Sequence, residues 1–148
     1  MTTTAPRTFR ASSMPLILSC AQAASAPEIA MDDSGEATMD GTILHDAAAR
    51  LIGTGEDTTF DDKDRRALWF CLKAVWSEVE QYFPEPMVEQ ELEVELGPIR
   101  VTGHADVVAV ISRQDGRVDV RVLDWKTGRK VEDYTPQMLT YALMLRRY

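Results

Sequence analysis

Cysteine is scarce in this chain: Cys20 and Cys71 are the two thiols in 148 residues. Two thiols cannot build a disulfide framework or a four-cysteine zinc or iron–sulfur site. Cys71 falls in a helical apolar pattern and reads as a small buried hydrophobe. A reducing, cytoplasmic setting fits this usage. Long apolar runs are missing as well, with none near the roughly 20 residues that span a bilayer, so no membrane association is expected. The opening RTFRASSMPLILSCAQAASA has the order of an export signal, with Arg7 and Arg10 ahead of apolar and then small residues. Its apolar core is only MPLIL, shorter than the roughly 7–15 residues of a working signal. Internal repeats and low-complexity tracts are absent too, and the length suits one domain with a real core.

Charge is plentiful but uneven. The formal net charge is −8, which argues against indiscriminate nucleic-acid binding. Residues 1–96 carry 7 basic and 18 acidic side chains, whereas residues 97–148 carry 9 basic and 6 acidic. The C-terminal part is therefore the one a polyanion can approach.

Residues 1–10 read as disordered, and Ser12 or Ser13 is placed to cap a short helix over 14–24. APEIAMDDSGEATMD is loop-like. Asp40 then caps a helix to about Ile52, with Leu44, Ala47, Ala48 and Leu51 on its apolar face. A longer helix begins at Asp61, with the stripe Leu68, Leu72, Val75, Val79 and Tyr82, and Pro84 ends it; Trp69 and Trp76 read as core. After Pro86 the period becomes two. In VEQELEVEL, Leu92, Val94 and Leu96 face one way and Glu89, Glu91, Glu93 and Glu95 the other. Gly97-Pro98 turns the chain into IRVTGHADVVAVI, and SRQDGR turns it again into VDVRVLDW. Thr135-Pro136 opens a last helix through QMLTYALML. The order predicts an α+β domain, an antiparallel meander flanked by helices. The sequence stops directly after a strong helix, so a truncated domain that continues with further strands is expected.

VLDWKTG, residues 122–128, places Asp124 and Lys126 in an otherwise apolar run, and buried charge is costly unless it is paired or bound. A regular strand would align Val118, Val120, Val122, Asp124 and Lys126 on one face. A hairpin with the preceding strand brings Asp106 near Asp124. Two acids converging in an apolar setting either shift their pKa values or share a cation, and a hard divalent ion suits oxygen ligands. Lys126 beside such an ion would orient water or stabilise a phosphate's developing charge. A structural Asp–Lys pair at a strand end satisfies the same tripeptide.

The wider pattern goes further. S-S-x-x-x-x-x-x-C (Ser12, Ser13, Cys20), G-x-x-x-H (Gly41, His45), a Glu-rich strand, G-x-x-D (Gly103, Asp106), D-x-K-T-G (Asp124 to Gly128) and Q-x-x-x-Y (Gln137, Tyr141) occur in that order. The set resembles the RecB-like, phage-type exonuclease branch of the PD-(D/E)XK nuclease superfamily over residues 11–148. The resemblance implies a restriction-endonuclease-like core with a magnesium or manganese ion held by His45, Asp106, Asp124 and the Trp125 carbonyl. It implies Lys126 as the catalytic lysine, with Gln137 and Tyr141 facing the site. A first-strand glutamate joins them, Glu89 by its distance from Gly103, with Glu91 close behind. His104 stays structural. Iron–sulfur members carry four cysteines, so no cluster is expected here.

The implied activity is a metal-dependent DNA nuclease, an exonuclease of phage or bacterial recombination and repair. Its partners would be linear or single-stranded DNA ends and a recombination protein or helicase. DNA contact would run through Arg121, Arg129, Lys130, Arg146 and Arg147. The alternative is a non-catalytic nucleic-acid-binding or accessory module that keeps the fold.

Overall fold

The alternation of acids with Leu92 and Val94 builds strand β2 (Met87–Leu96), in which Leu92 and Val94 are buried while Glu91, Glu93 and Glu95 are exposed, as is Leu96 at the strand end. The computed structural model describes residues 7–19, 36–127 and 133–146. β2 runs antiparallel to β3 (Ile99–Ser112), in register from Leu96↔Ile99 to Met87↔Val108. β3 in turn pairs antiparallel with β4 (Val118–Leu123), from Ser112↔Val118 to Val107↔Leu123. Both hairpin turns use a glycine in the left-handed region, Gly97 at φ 63° and Gly116 at φ 79°, where other residues are disfavoured.

The N-terminal residues depart from expectation. Arg7–Arg10 form β1, a strand parallel to Ile99–Thr102 of β3, so the sheet is not a pure antiparallel meander and residues 7–10 do not belong to a disordered tail. Residues 1–6 lie outside the described residues. A four-residue strand has too short a pattern to read locally, and its partner lies far along the chain. β1 and β4 share the same edge of β3, end to end, because β2 occupies the other edge. Between them, residues 103–106 of β3 have no strand partner on that edge. This gap positions the site.

One face of the sheet is covered by α1 (Met14–Ser19) and α4 (Thr135–Leu145). Its core joins Ala11, Leu92, Val94, Val101, Ala105, Val108, Tyr141, Met144 and Leu145. The other face is covered by α2 (Glu36–Thr54) and α3 (Lys63–Val79). There Leu44, Ala47, Ala48, Trp69, Leu72 and Trp125 form one cluster, and Phe83, Val107 and Ala109 form a second beside it.

Strict alternation fails at one place on two strands. Met87 packs on the α4 side with Leu92 and Val94, and Val108 and Val110 pack there with Val101 and Ala105. Odd and even positions therefore exchange faces between residues 87 and 92 and again between 105 and 108. Glu89 sits at the slip with φ 53°, a left-handed backbone that costs a non-glycine residue about 1–2 kcal/mol.

The helices differ from expectation in detail. α1 ends at Ser19, and the expected extension over 20–24 lies outside the described residues. α2 begins at Glu36, so Asp40 is not its cap but lies inside it, accepting a hydrogen bond from Arg65 Nε at 2.6 Å. α3 is capped by Asp62, which accepts from the Arg65 amide at 2.8 Å. The buried face of α3 centres on Trp69 and Leu72, with Trp76 and Val79 half-buried; Leu68, Val75 and Tyr82 are exposed. The indoles carry more apolar area and turn the helix toward themselves. Cys71 consequently lies on the outer face, exposed rather than buried. Among the described residues no helix is long and apolar enough to cross a membrane.

Candidate active site

The sheet register lines up three acids. Val88 pairs with Val107 and Gln90 with Ala105, so Glu89 falls opposite Asp106 on β3. Val107 pairs with Leu123, and one further step along the same register places Asp124 opposite Asp106, just past the end of β4. Glu89, Asp106 and Asp124 thus form one row across three strands, at the gap between β1 and β4.

Asp106 is buried, and each of its oxygens has a partner. Oδ2 accepts the backbone N–H of Trp125 at 2.5 Å, a donor that has left the strand ladder. Oδ1 lies 2.9 Å from His45 Nδ1. His45 follows Leu44 on α2, and the burial of Leu44, Ala47 and Ala48 fixes that helix against the sheet. Burial alone lowers the basicity of the His45 imidazole. The hydrogen bond and charge of Asp106, with the charges of Glu89 and Asp124, outweigh it and hold the pKa above its ordinary value.

Asp124 is held from α4. Gln137 is buried, with 3% of its surface exposed, and donates from Nε2 to Asp124 Oδ1 at 3.2 Å and to the Tyr141 hydroxyl at 2.8 Å. Tyr141 Oη lies 2.7 Å from the His104 carbonyl and 3.3 Å from Asp124 Oδ1. A phenol has one proton to give, and the shorter contact takes it. Burial pushes the Tyr141 phenol well above its usual pKa, so it remains a neutral donor. Its ring needs Gly103: a Cβ there would stand 2.8 Å from Tyr141 Cε1 and 3.1 Å from the Ala11 Cβ.

Lys126 Nζ contacts Asp124 Oδ2 as an ion pair. That oxygen is buried and has no partner in hydrogen-bond geometry. Burial pushes the Asp124 carboxyl up; the Lys126 ammonium opposes the shift, and the Asp106 charge adds to it. The loop that carries Lys126 packs closely on α2, since a Cβ at Gly41 would meet Thr127 Oγ1 at 3.0 Å. β4 ends at Leu123, so Lys126 owes its place to this loop and not to a continued strand.

Glu89 and Glu91 occupy different positions. The Glu89 carboxylate lies 3.2 Å from His104 Nδ1 and is pushed up by burial, with His104 and His45 opposing and Asp106 and Asp46 adding. Glu91 lines the cleft. That cleft measures about 830 Å³ and has His45, His104, Asp106, Asp124, Gln137 and Tyr141 along it, with Arg10, Ser12, Arg100 and Thr102 beside Glu91 and Glu93. Of the basic residues expected to meet DNA, the two that are described, Arg121 and Arg146, do not line it. Arg121 donates to the Tyr82 carbonyl, and Arg146 lines a separate apolar groove with Val118, Val120 and Val122. Arg129, Lys130 and Arg147, like Cys20 and Gly128, lie outside the described residues. Arg10 and Arg100, which the sequence pattern did not single out, are the cationic residues of the cleft. Arg10 reaches the cleft through the parallel pairing of β1 with β3, which no local motif displays, whereas Arg100 lies on β3 itself.

The carboxylates of Asp106 and Asp124 with the imidazole of His45 are suitable donors for a hard divalent cation. The buried Asp124 Oδ2, ion-paired with Lys126 but without a hydrogen bond, is the kind of atom such an ion would satisfy. The set is not a ready-made cage: among the described residues no three His, Cys, Asp or Glu side chains converge closely enough to hold an ion. Asp106 has both oxygens engaged, by His45 and Trp125.

No curated protein and no solved structure matches the chain. The family model of the PD-(D/E)XK nuclease superfamily matches residues 20–148. That span carries the aspartates of β3 and the β4 end, the lysine two residues on, and the glutamine and tyrosine of α4. Mixed α/β architecture, with a four-stranded sheet between helices, is the restriction-endonuclease-like core of that group. By sequence and by fold, the chain belongs to the PD-(D/E)XK nuclease superfamily.

Proposed function

We propose that the chain is a magnesium- or manganese-dependent deoxyribonuclease of the RecB-like, phage-type branch, acting as an exonuclease on linear or single-stranded DNA ends. The supporting observation is the meeting of Asp106, Asp124, Gln137 and Tyr141 along one cleft, with Lys126 ion-paired to Asp124. His45, Asp106, Asp124 and the Trp125 carbonyl are the groups that would hold the ion, which when bound polarises a phosphate and supplies hydroxide near neutral pH. Lys126 presents an ammonium to negative charge building on the phosphoryl oxygens. Gln137, itself braced by the Tyr141 hydroxyl, fixes Asp124 by one oxygen and leaves the other toward Lys126. Glu89, with Glu91 as the alternative, is the acid supplied by β2. Arg10 and Arg100 meet backbone phosphates along the cleft.

A cytoplasmic role in phage or bacterial recombination and repair, beside a helicase or recombination partner, fits this chemistry. The nuclease domain takes in residues 11–148 together with the β1 strand that walls the cleft. End-labelled linear DNA incubated with the purified protein should be degraded with Mg²⁺ or Mn²⁺ and spared when a chelator is added. Calcium, larger and less strict in geometry, should support cleavage poorly. Undiminished cleavage in chelator would sink the metal-dependent reading. DNA binding without cleavage under any metal would favour a non-catalytic module instead.

A further inference from the structure

A lysine side chain has many rotamers, and an exposed one held by a single partner is poorly fixed. Lys126 has two neighbours. Its ammonium contacts Asp124 Oδ2 on one side, and the ring of Tyr134 lies with its centroid 4.8 Å from Nζ on another. Tyr134 is the residue from which α4 starts, and its carbonyl accepts the Met138 amide at 3.0 Å. The ring is therefore rooted to the helix that carries Gln137, which donates to the other oxygen of Asp124. One helix thus sets both members of the Asp–Lys pair: the acid through the Gln137 amide, which is braced by Tyr141, and the ammonium through an aromatic face.

We propose that Tyr134 is a positioning residue for Lys126, its ring drawing the ammonium to a fixed point at the cleft instead of leaving Asp124 as its single anchor. This rests on the nuclease reading of Lys126. The attraction is between a cation and the ring's negative face, so it needs the aromatic ring and not the hydroxyl. Tyr134→Phe therefore keeps the device, and Tyr134→Leu removes it while leaving apolar bulk.

Two measurements separate the outcomes. The first does not depend on activity. After reductive methylation with ¹³C-formaldehyde, the Lys126 methyl signals, assigned by their loss in Lys126→Arg, should be ring-current shifted in the wild type and in Tyr134→Phe. They should move to the free-lysine position in Tyr134→Leu. Lys73, which stands 5.6 Å from the Trp69 centroid and 5.3 Å from that of Phe70, is the internal control and should not move. The second is steady-state cleavage of DNA with Mn²⁺. Tyr134→Leu should lower kcat about three- to tenfold with KM unchanged, and Tyr134→Phe should stay within about twofold. An unshifted Lys126 signal in the wild type overturns the proposal, as does wild-type kcat in Tyr134→Leu when Lys126→Ala is inactive; both leave the nuclease reading intact. Normal cleavage by Lys126→Ala overturns the positioning role and the catalytic role of Lys126 together.

Discussion

The two faces of the sheet are closed by helices of different character. On the α2–α3 side the contacts are almost wholly apolar, with Leu44, Ala47, Ala48, Trp69, Leu72 and Trp125 packed together, and His45 is the side chain that this layer sends to the site. On the α4 side the buried cluster contains Tyr141 among Leu92, Val94 and Met144, and the neighbouring Gln137 is buried as well. Polar groups placed in a core are costly unless every one is satisfied, and here Gln137 donates to Tyr141 and Asp124 while the Tyr141 hydroxyl gives its proton to the His104 carbonyl. The α2–α3 layer supplies stability, and the α4 layer spends some of it to hold a carboxylate at a fixed angle.

The sharpest test of this division is at the site itself. Lys126→Ala should reduce DNA cleavage by about 10²–10³-fold, the usual worth of a positioned group acting on transition-state charge. Metal binding followed by calorimetry should be as tight as in the wild type or tighter, because a positive charge has gone. Asp106→Asn and Asp124→Asn should lose cleavage and metal affinity together. Near-wild-type cleavage by Lys126→Ala would make the lysine a structural partner of Asp124 and no more.

On the apolar layer the largest effect should come from Trp69→Ala. It leaves a cavity against α2 and deprives Asp57 of the indole N–H it accepts at 3.0 Å. A loss of about 3–5 kcal/mol in urea denaturation is expected. A loss below about 1 kcal/mol would show that the α2–α3 layer is not the main stabilising one.

The two close-packed glycines should then divide along the same line, with smaller effects. Gly103→Ala drives a methyl into the Tyr141 ring, which is rooted in the core, and should cost about 1–3 kcal/mol as well as activity. Gly41→Ala meets the Thr127 hydroxyl at 3.0 Å but gains about 1 kcal/mol of helix propensity, so stability should hardly change while cleavage falls. Full activity in Gly41→Ala would mean that the Lys126 loop adapts freely.

Much of the site was legible in the sequence because its residues sit in short-range patterns. The alternation of β2 and β3, the turns at Gly97 and Gly116 and the apolar face of α2 are local, and they bring Asp106 and Asp124 opposite each other. What the sequence hid is non-local. Arg7–Arg10 form a strand only because β3 offers an edge, and Arg10 reaches the cleft with it. The rotation of α3 was hidden too, since Leu68, Val75 and Tyr82 fit a helical stripe as well as Trp69, Leu72 and Trp76 do; the larger side chains decided it. The change of face at Glu89 cannot be seen in a pattern that reads as unbroken alternation.

The parallel pairing of β1 also has a consequence in time. β2, β3 and β4 are joined by short turns and can zip as successive hairpins, whereas Arg7 must find Ile99 across most of the chain. Closing so long a loop is entropically slower than forming a hairpin, so β1 should dock last. Pulse-labelled hydrogen exchange during refolding should show protection of Arg7–Arg10 lagging behind β2 and β3, and simultaneous protection would contradict this order. Until that strand arrives, Asp106 and Asp124 stand at an open edge without Arg10, although Arg100 is already in place on β3. On the proposed nuclease reading, a partly folded chain would own its reactive groups before the full wall of the cleft, and the capacity to hold DNA would mature last.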